Sequence, residues 1–150
     1  MIQRIQTIYL FIGGLLSIAL LFSGIFVVSD GTDAAFIGAF GIQEGTLEFE
    51  VPFTLPILIL AILTAALQLY AIFLFKNRKL QRVLTLVSAV LIAVLIGWIG
   101  YMYYDLLQLE LRINPLSGAV HPVLILFANI LALRGINKDE DLVKSVDRLR

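Results

Sequence analysis

Two stretches of 22 uncharged residues, 54–75 and 83–104, are separated by only seven residues. Four of those seven residues are basic, namely Lys76, Arg78, Lys79 and Arg82. An α-helix rises 1.5 Å per residue, so about 20 residues cross a hydrocarbon core of about 30 Å. The pattern therefore predicts two membrane helices joined by a short basic turn.

Two further uncharged stretches complete the pattern, residues 8–28 and residues 116–133. Hydrophobic residues make up 60% of the 150-residue chain and charged residues 15%, against about 45–50% and about 25% in globular domains. Such a chain cannot cover its apolar surface in water. We therefore predict an all-α membrane protein, a bundle of four transmembrane helices that forms one integral membrane domain over residues 1–150.

A cleaved signal peptide is the alternative for residues 8–28. Its apolar core would span about 7–15 residues, and small residues would precede the cleavage site. The stretch here is 21 residues long, and the sequence Val27-Val28-Ser29-Asp30 at its end is not a small-x-small cleavage site. We expect a retained membrane helix.

The outer loop, residues 29–53, carries acidic charges only. Residues 46–51 alternate between apolar and polar side chains, which predicts a strand, and residues 36–42 are a second candidate strand. Together they would form an extracytoplasmic β-hairpin, and residues 105–115 could add a short strand beside it. A lone hairpin is marginal in water, so its apolar face should rest on the bundle or on a partner. The candidate docking residues on that face are Leu47 and Phe49.

The tail, residues 134–150, follows the fourth stretch. Asn137 and Glu140 have the spacing of a capping box, and Leu142 and Val146 recur at helical spacing. This predicts a separate short amphipathic helix, lying on the inner membrane surface or against the basic turn. Leu142 and Val146 are the second pair of candidate docking residues.

Ten of the eleven Lys and Arg residues fall on one side of a four-span arrangement, and only Arg112 falls on the other. The positive-inside rule then places both termini and the basic turn in the cytoplasm, and we expect a bacterial inner membrane. The basic cluster would also suit anionic lipid or nucleic acid. Because the cluster lies in a turn between two membrane helices, we interpret it first as a determinant of membrane topology. We expect no nucleic-acid partner.

Small residues recur every four positions on the third predicted helix, at Ala89, Ala93 and Gly97. Helices in lipid associate closely through small residues, so this face predicts tight packing within the bundle or, as the less favoured alternative, a homodimer. Gln68 and Asn129 are the only amides deep in the spans. Their similar depth predicts a hydrogen bond between helices, with a polar point on a substrate path as the alternative.

The sequence offers no catalytic, metal-binding or cofactor motif. It has no Cys and one His, His121, and the four spans lack the charges that mark ion-coupled transport. We therefore predict a non-enzymatic small subunit or scaffold of a membrane complex, with a membrane-protein partner or a homo-oligomer. The alternative is a protein that binds or transports a lipid or small molecule in an apolar groove near Trp98, Tyr101 and His121. An intramembrane enzyme ranks third.

Both ends of the chain resemble a known family. The N-terminal sequence MIQRIQTIYL (residues 1–10) and the C-terminal sequences ALRGINKDE (132–140) and VKSVDRLR (143–150) carry the resemblance. They are similar to the terminal signatures of a family of small four-helix membrane proteins of the Bacteroidota, known only as a domain of unknown function. The resemblance implies an inner-membrane protein with four helices. It implies no activity and no functional residue.

Overall fold

The computed structural model describes residues 3–45, 53–75, 77–109 and 111–147, with side chains from residue 5 to residue 140. This part of the chain contains four helices and four short strands. The helices are α1 (Gln3–Phe22), α2 (Leu55–Phe73), α3 (Arg78–Leu107) and α4 (Ser117–Asp147). The strands are β1 (Gly24–Ser29), β2 (Ala34–Gly38), β3 (Gly41–Gly45) and β4 (Arg112–Pro115).

The helices form an antiparallel bundle in which each helix packs against the next and α4 packs against α1. Gly135 of α4 lies beside Gln6 of α1, and Gly118 lies beside Gly24 at the opposite end. Short connections between successive helices give this up-and-down arrangement. We call the two ends of the bundle the sheet end, at the strands, and the basic end, at the turn between α2 and α3.

The four strands form one antiparallel sheet in the order β3-β2-β1-β4. β1 is central, and its Val28 pairs with Ala35 of β2 on one side and Ile113 of β4 on the other. Apolar side chains of the sheet share one buried cluster with the sheet end of the bundle. That cluster includes Leu20, Ile25, Phe26, Ile37, Ile57, Leu95 and Met102.

The first predicted helix, residues 8–28, is wrong at its C-terminal end. α1 ends at Phe22, and Gly24–Ser29 form β1. An unbroken apolar run is compatible with either a helix or a strand buried on both faces, because neither leaves a polar position. The β-branched and aromatic residues of this segment favour the strand once two neighbouring strands are available.

The outer loop contains a hairpin, but it is formed by other segments than those predicted, and its turn lies inside the predicted strand 36–42. Its strands are β2 and β3, joined by a tight turn at Ala39-Phe40, so Glu44 and Gly45 lie in a strand and not in the turn. The predicted strand over residues 46–51 lies outside the described residues. The prediction for residues 105–115 is confirmed in part, because β4 occupies residues 112–115 and joins the same sheet through β1.

The predicted tail helix is also wrong as a separate element. α4 runs without interruption from Ser117 to Asp147, so Asn137 lies inside a helix and caps nothing. α3 extends beyond residues 83–104 at both ends, and three of the four basic turn residues, Arg78, Lys79 and Arg82, lie on its first turns. The second predicted span agrees with α2 within two residues.

The bundle has an apolar exterior and a partly polar interior. All four helices are long and apolar enough to cross a membrane. Large apolar side chains are exposed on every helix, among them Phe11, Phe22, Ile62, Phe73, Val90 and Phe127. A water-soluble bundle shows the reverse pattern, with its polar side chains outside. The helices therefore suit a hydrocarbon solvent.

Candidate functional site

Polar side chains are buried from the middle of the bundle to its basic end. Nine polar or charged residues in the described part of the chain are buried, and every helix contributes at least two. They are Gln6, Ser17, Thr64, Gln68, Gln81, Thr85, Ser88, Asn129 and Asp139. Polar groups this deep in an apolar bundle need hydrogen-bond partners.

Three hydrogen bonds of these residues link two helices or two turns of one helix. Asn129 Nδ2 of α4 donates to Ser88 Oγ of α3 at 3.0 Å. Gln81 Nε2 of α3 donates to the main-chain oxygen of Ala71 in α2 at 3.0 Å. Thr85 Oγ1 donates to the oxygen of Gln81 one turn earlier at 2.8 Å. The polar face of α3 therefore holds both neighbouring helices.

Gln68 lies against Gly13 of α1, where a Cβ would be 2.7 Å from Gln68 Oε1. Gly135 of α4 lies beside Gln6 of α1, and Gly118 lies beside Gly24 of β1, so Asn129 lies between these two contacts. The similar depth of Gln68 and Asn129 stays a prediction. Their predicted hydrogen bond does not form. The Gln68 amide, Thr64 Oγ1 and Asn129 Oδ1 are buried without a hydrogen-bond partner among the described residues.

The small residues of α3 do not pack inside the bundle, and this corrects the favoured prediction. Ala89 is half-buried, while Ala93 and Gly97 are exposed. A Cβ at Gly97 or Gly100 would meet nothing within 4 Å. The buried face of α3 instead carries Thr85, Ser88, Ile92, Leu95, Ile99 and Met102. Sequence alone did not reveal which face points inward, because both faces are free of charge.

The basic end contains a polar cluster that sequence reasoning missed. Gln6 Nε2 of α1 donates to Asp139 Oδ2 of α4, and both side chains are buried. Arg78 Nη1 of α3 donates to the main-chain oxygen of Asp139 at 3.0 Å. The helical spacing of buried Ala132 and Ile136 continues to Asp139, and following it past Arg134 would have predicted this burial.

Arg82 and Glu140 form an ion pair at 3.5 Å beside this cluster. Asp139 and Glu140, in the first part of the predicted tail, thus contact two residues of the basic turn. Arg78 and Arg82 of α3, Gln6 of α1 and the last part of α4 meet at one end of the bundle. The predicted docking residues Leu142 and Val146 lie on α4 beyond the last described side chain. Leu47 and Phe49 lie outside the described residues.

Trp98 and Tyr101, two of the residues predicted to lie near an apolar groove, are on α3 toward the sheet end. The Trp98 indole donates to the main-chain oxygen of Phe53 at 3.1 Å, and its ring is 5.6 Å from that of Tyr101. His121 lies on α4, half-buried, and its Nδ1 has no hydrogen-bond partner among the described residues. Across the described ranges, no group of three or more His, Cys, Asp or Glu residues is placed to hold a metal ion.

Comparison with known proteins gives one family match. The family model described as "Domain of unknown function (DUF4293)" matches residues 2–149. No curated protein and no solved structure matches the chain. Because the family match covers nearly the whole chain, the protein belongs to the DUF4293 family, a domain of unknown function.

Proposed function

We propose that this protein is a non-enzymatic subunit of a membrane complex, and that it assembles with a second membrane helix through the small-residue face of α3. We define that face by Ala89, Ala93, Gly97 and Gly100. We also propose that the protein lies in a bacterial inner membrane, with the basic end in the cytoplasm and the sheet end outside.

The apolar exterior supports the membrane part of the proposal. α2, the shortest helix, has 19 residues and is therefore about 28 Å long, close to the hydrocarbon thickness. Trp98, Tyr101 and Tyr104 lie on α3 toward the sheet end, at the level where aromatic side chains favour the membrane interface. The arginines that contact α4 lie at the opposite end.

The observation that carries the assembly proposal is the outward direction of the small-residue face. The rest of the exterior of α3 carries large side chains such as Val83, Val87 and Val94, so lipid contact does not require small ones. Small residues at four-residue spacing let another helix approach closely, and such contacts stabilise association in lipid. Packing within the bundle does not use Gly97 or Gly100, which have open space around them.

Cysteine cross-linking in native membranes tests this proposal, because the chain has no Cys of its own. Gly97→Cys places a single thiol on the small-residue face. Val94→Cys is the control, because Val94 is also exposed but lies three residues before Gly97 and about 60° from it around the helix axis, away from Ala89, Ala93 and Gly100. We expect oxidation to cross-link Gly97→Cys into a dimer. A flexible reagent that links the Gly97→Cys thiol to a nearby side chain would capture a partner other than a second copy of this chain. Mass spectrometry would then identify that partner.

Equal cross-linking of the two variants would indicate random collision and contradict the proposal. No product from either variant, with both proteins inserted and folded, would also contradict it. A product at Gly97→Cys that Gly100→Leu abolishes would support it, because a leucine there would separate the two helices while meeting nothing in the protein's own bundle.

A second candidate function rests on the buried groups without partners. Thr64 and Gln68 lie one turn apart on α2, and their polar side-chain atoms could bind a small molecule that offers hydrogen bonds between the helices. Mass spectrometry of protein extracted in mild detergent tests this candidate. A stoichiometric small molecule lost in Gln68→Leu would favour it over the subunit function, and its absence from wild-type protein would exclude it.

A further inference from the structure

The start of α3 carries an open groove of about 300 Å³, lined by Asn77, Lys79, Leu80 and Val83. The groove has two different parts. Asn77 and Lys79 form a polar rim, and Leu80 and Val83 form an apolar wall. The wall continues along the outside of α3 as exposed apolar side chains at helical spacing, namely Val87, Val90 and Val94.

The groove lies at the boundary between the apolar and polar parts of the helix. Val83 is the first of the 22 uncharged residues in this stretch. Lys79 precedes it by four residues, or about 6 Å along the helix axis. In a bilayer, the apolar wall would therefore contact acyl chains while the rim lies among the headgroups.

The rim is positively charged, and no other described residue neutralises its charge. Arg78 is bound to the main-chain oxygen of Asp139, and Arg82 is paired with Glu140. Lys79 is exposed and makes no ion pair or hydrogen bond with another described residue. Asn77 caps α3 by accepting from the Leu80 amide at 3.2 Å. The amides of Arg78 and Lys79 precede that capped position and have no acceptor within the helix.

We infer that this groove binds one anionic phospholipid. Its phosphate contacts Lys79 and the first turn of α3, and one acyl chain follows Leu80, Val83 and Val87. Charge complementarity selects an anionic headgroup, and the apolar wall selects a lipid, since an acidic peptide or a free phosphate would leave that wall uncovered. This inference rests on the membrane location proposed above, but not on the assembly proposed for the small-residue face of α3.

Native mass spectrometry of the purified protein, titrated with phosphatidylglycerol and with phosphatidylcholine, tests the inference. We expect one molecule of phosphatidylglycerol to bind more tightly than phosphatidylcholine. Lys79→Gln should lower that affinity about fivefold, the effect of about 1 kcal/mol per lysine near a membrane surface. Lys79→Arg should retain it. Arg134→Gln is the matched control, since Arg134 is an exposed basic residue of α4 outside the groove.

Two results would overturn the inference. The first is equal affinity of wild-type protein and Lys79→Gln for phosphatidylglycerol. The second is an equal loss in Arg134→Gln, which would indicate general attraction to the basic end. Displacement of the lipid by inorganic phosphate alone would assign the groove to a free anion and would also count against a phospholipid. Because Lys79 is exposed, circular dichroism should show that its variants fold like the wild type.

Discussion

Gly118, near the start of α4, lies directly against Gly24, the first residue of β1. A Cβ at position 118 would be 2.5 Å from the main-chain oxygen of Gly24 and 3.0 Å from its carbonyl carbon. Beside this contact, the Leu116 amide donates to the oxygen of Ile25 at 2.8 Å. The central strand of the sheet is therefore fixed to the bundle by backbone contacts, and the sheet and helices form one packed unit at this end.

Replacing Gly118 by Ala should destabilise the protein by about 1–3 kcal/mol, because the added methyl group meets backbone that cannot rotate away. Gly100→Ala is the matched control, since its methyl group would meet nothing within 4 Å and alanine favours a helix. The free energy of unfolding, measured by SDS titration in mixed micelles, checks both changes. Equal stability of the two variants would contradict the close approach of α4 and β1.

Ser88 and Asn129 should be energetically coupled, because they share a buried hydrogen bond between α3 and α4. A double-mutant cycle with Ser88→Ala and Asn129→Leu should give a coupling energy of about 0.6–1.7 kcal/mol, the range found inside membrane proteins. The comparison cycle, Gln68→Leu with Asn129→Leu, should be additive within about 0.5 kcal/mol. A larger coupling in the second cycle than in the first would show that the two amides meet.

Gln6 and Arg82 should differ in their effects on stability, although both contact α4 at the basic end. Gln6→Ala leaves the buried Asp139 side chain without its donor and should cost about 1–3 kcal/mol. Arg82→Gln removes an ion pair whose arginine side chain is 52% exposed, and should cost at most about 1 kcal/mol. SDS unfolding of both variants tests this order, and the reverse order would be evidence against a buried Asp139.

Much of the fold follows from the sequence, and the differences have physical reasons. The second span agrees with its helix because Pro56 and the charges beyond Phe75 limit it. The segment 24–29 has β-branched and aromatic residues, but it continues an unbroken apolar run, and such a run does not distinguish an apolar helix from a strand between two neighbours. Asn137 and Glu140 matched a capping box, but the helix continues through it, because Ile136 and Asp139 are buried and Asp139 accepts a hydrogen bond from Gln6 of α1.

The candidate site was less predictable than the fold. The small residues of α3 identified a distinct face, but in a chain without charged residues on that helix face the sequence cannot show which way it points. The depth of Gln68 and Asn129 could be counted from the ends of the spans. Their contacts could not be predicted, because Asn129 meets Ser88, and Gln68 meets Gly13, only when the four helices pack.

Asp30 forms a hydrogen-bonded turn between β1 and β2, outside the helices. The amide of Asp33, the amide of Thr32 and the Thr32 hydroxyl all donate to its carboxylate, and they lower the pKa of Asp30 below its ordinary value of 3.8. Because the pKa of Asp30 is lower in the folded than in the unfolded protein, its ionised carboxylate stabilises the fold at pH values above the unfolded pKa. This stabilisation is lost as the pH falls through the folded pKa.

Carboxyl chemical shifts in an NMR titration of the protein in micelles should therefore show Asp30 titrating below 3.8. Thr32→Val removes the hydroxyl donor and keeps the amide, so it should move the pKa of Asp30 part of the way back. An Asp30 pKa at or above the ordinary value in wild-type protein would mean that the turn is not formed in solution.

We propose that the helices cross a membrane with the sheet end and the basic end on opposite sides. Single cysteines at two exposed positions test it in a chain that has no other thiol: Glu44→Cys on β3 and Lys138→Cys near the basic end. In intact spheroplasts, a membrane-impermeant maleimide should label Glu44→Cys at once and Lys138→Cys only after permeabilisation. Labelling of both positions without permeabilisation would contradict the proposed orientation.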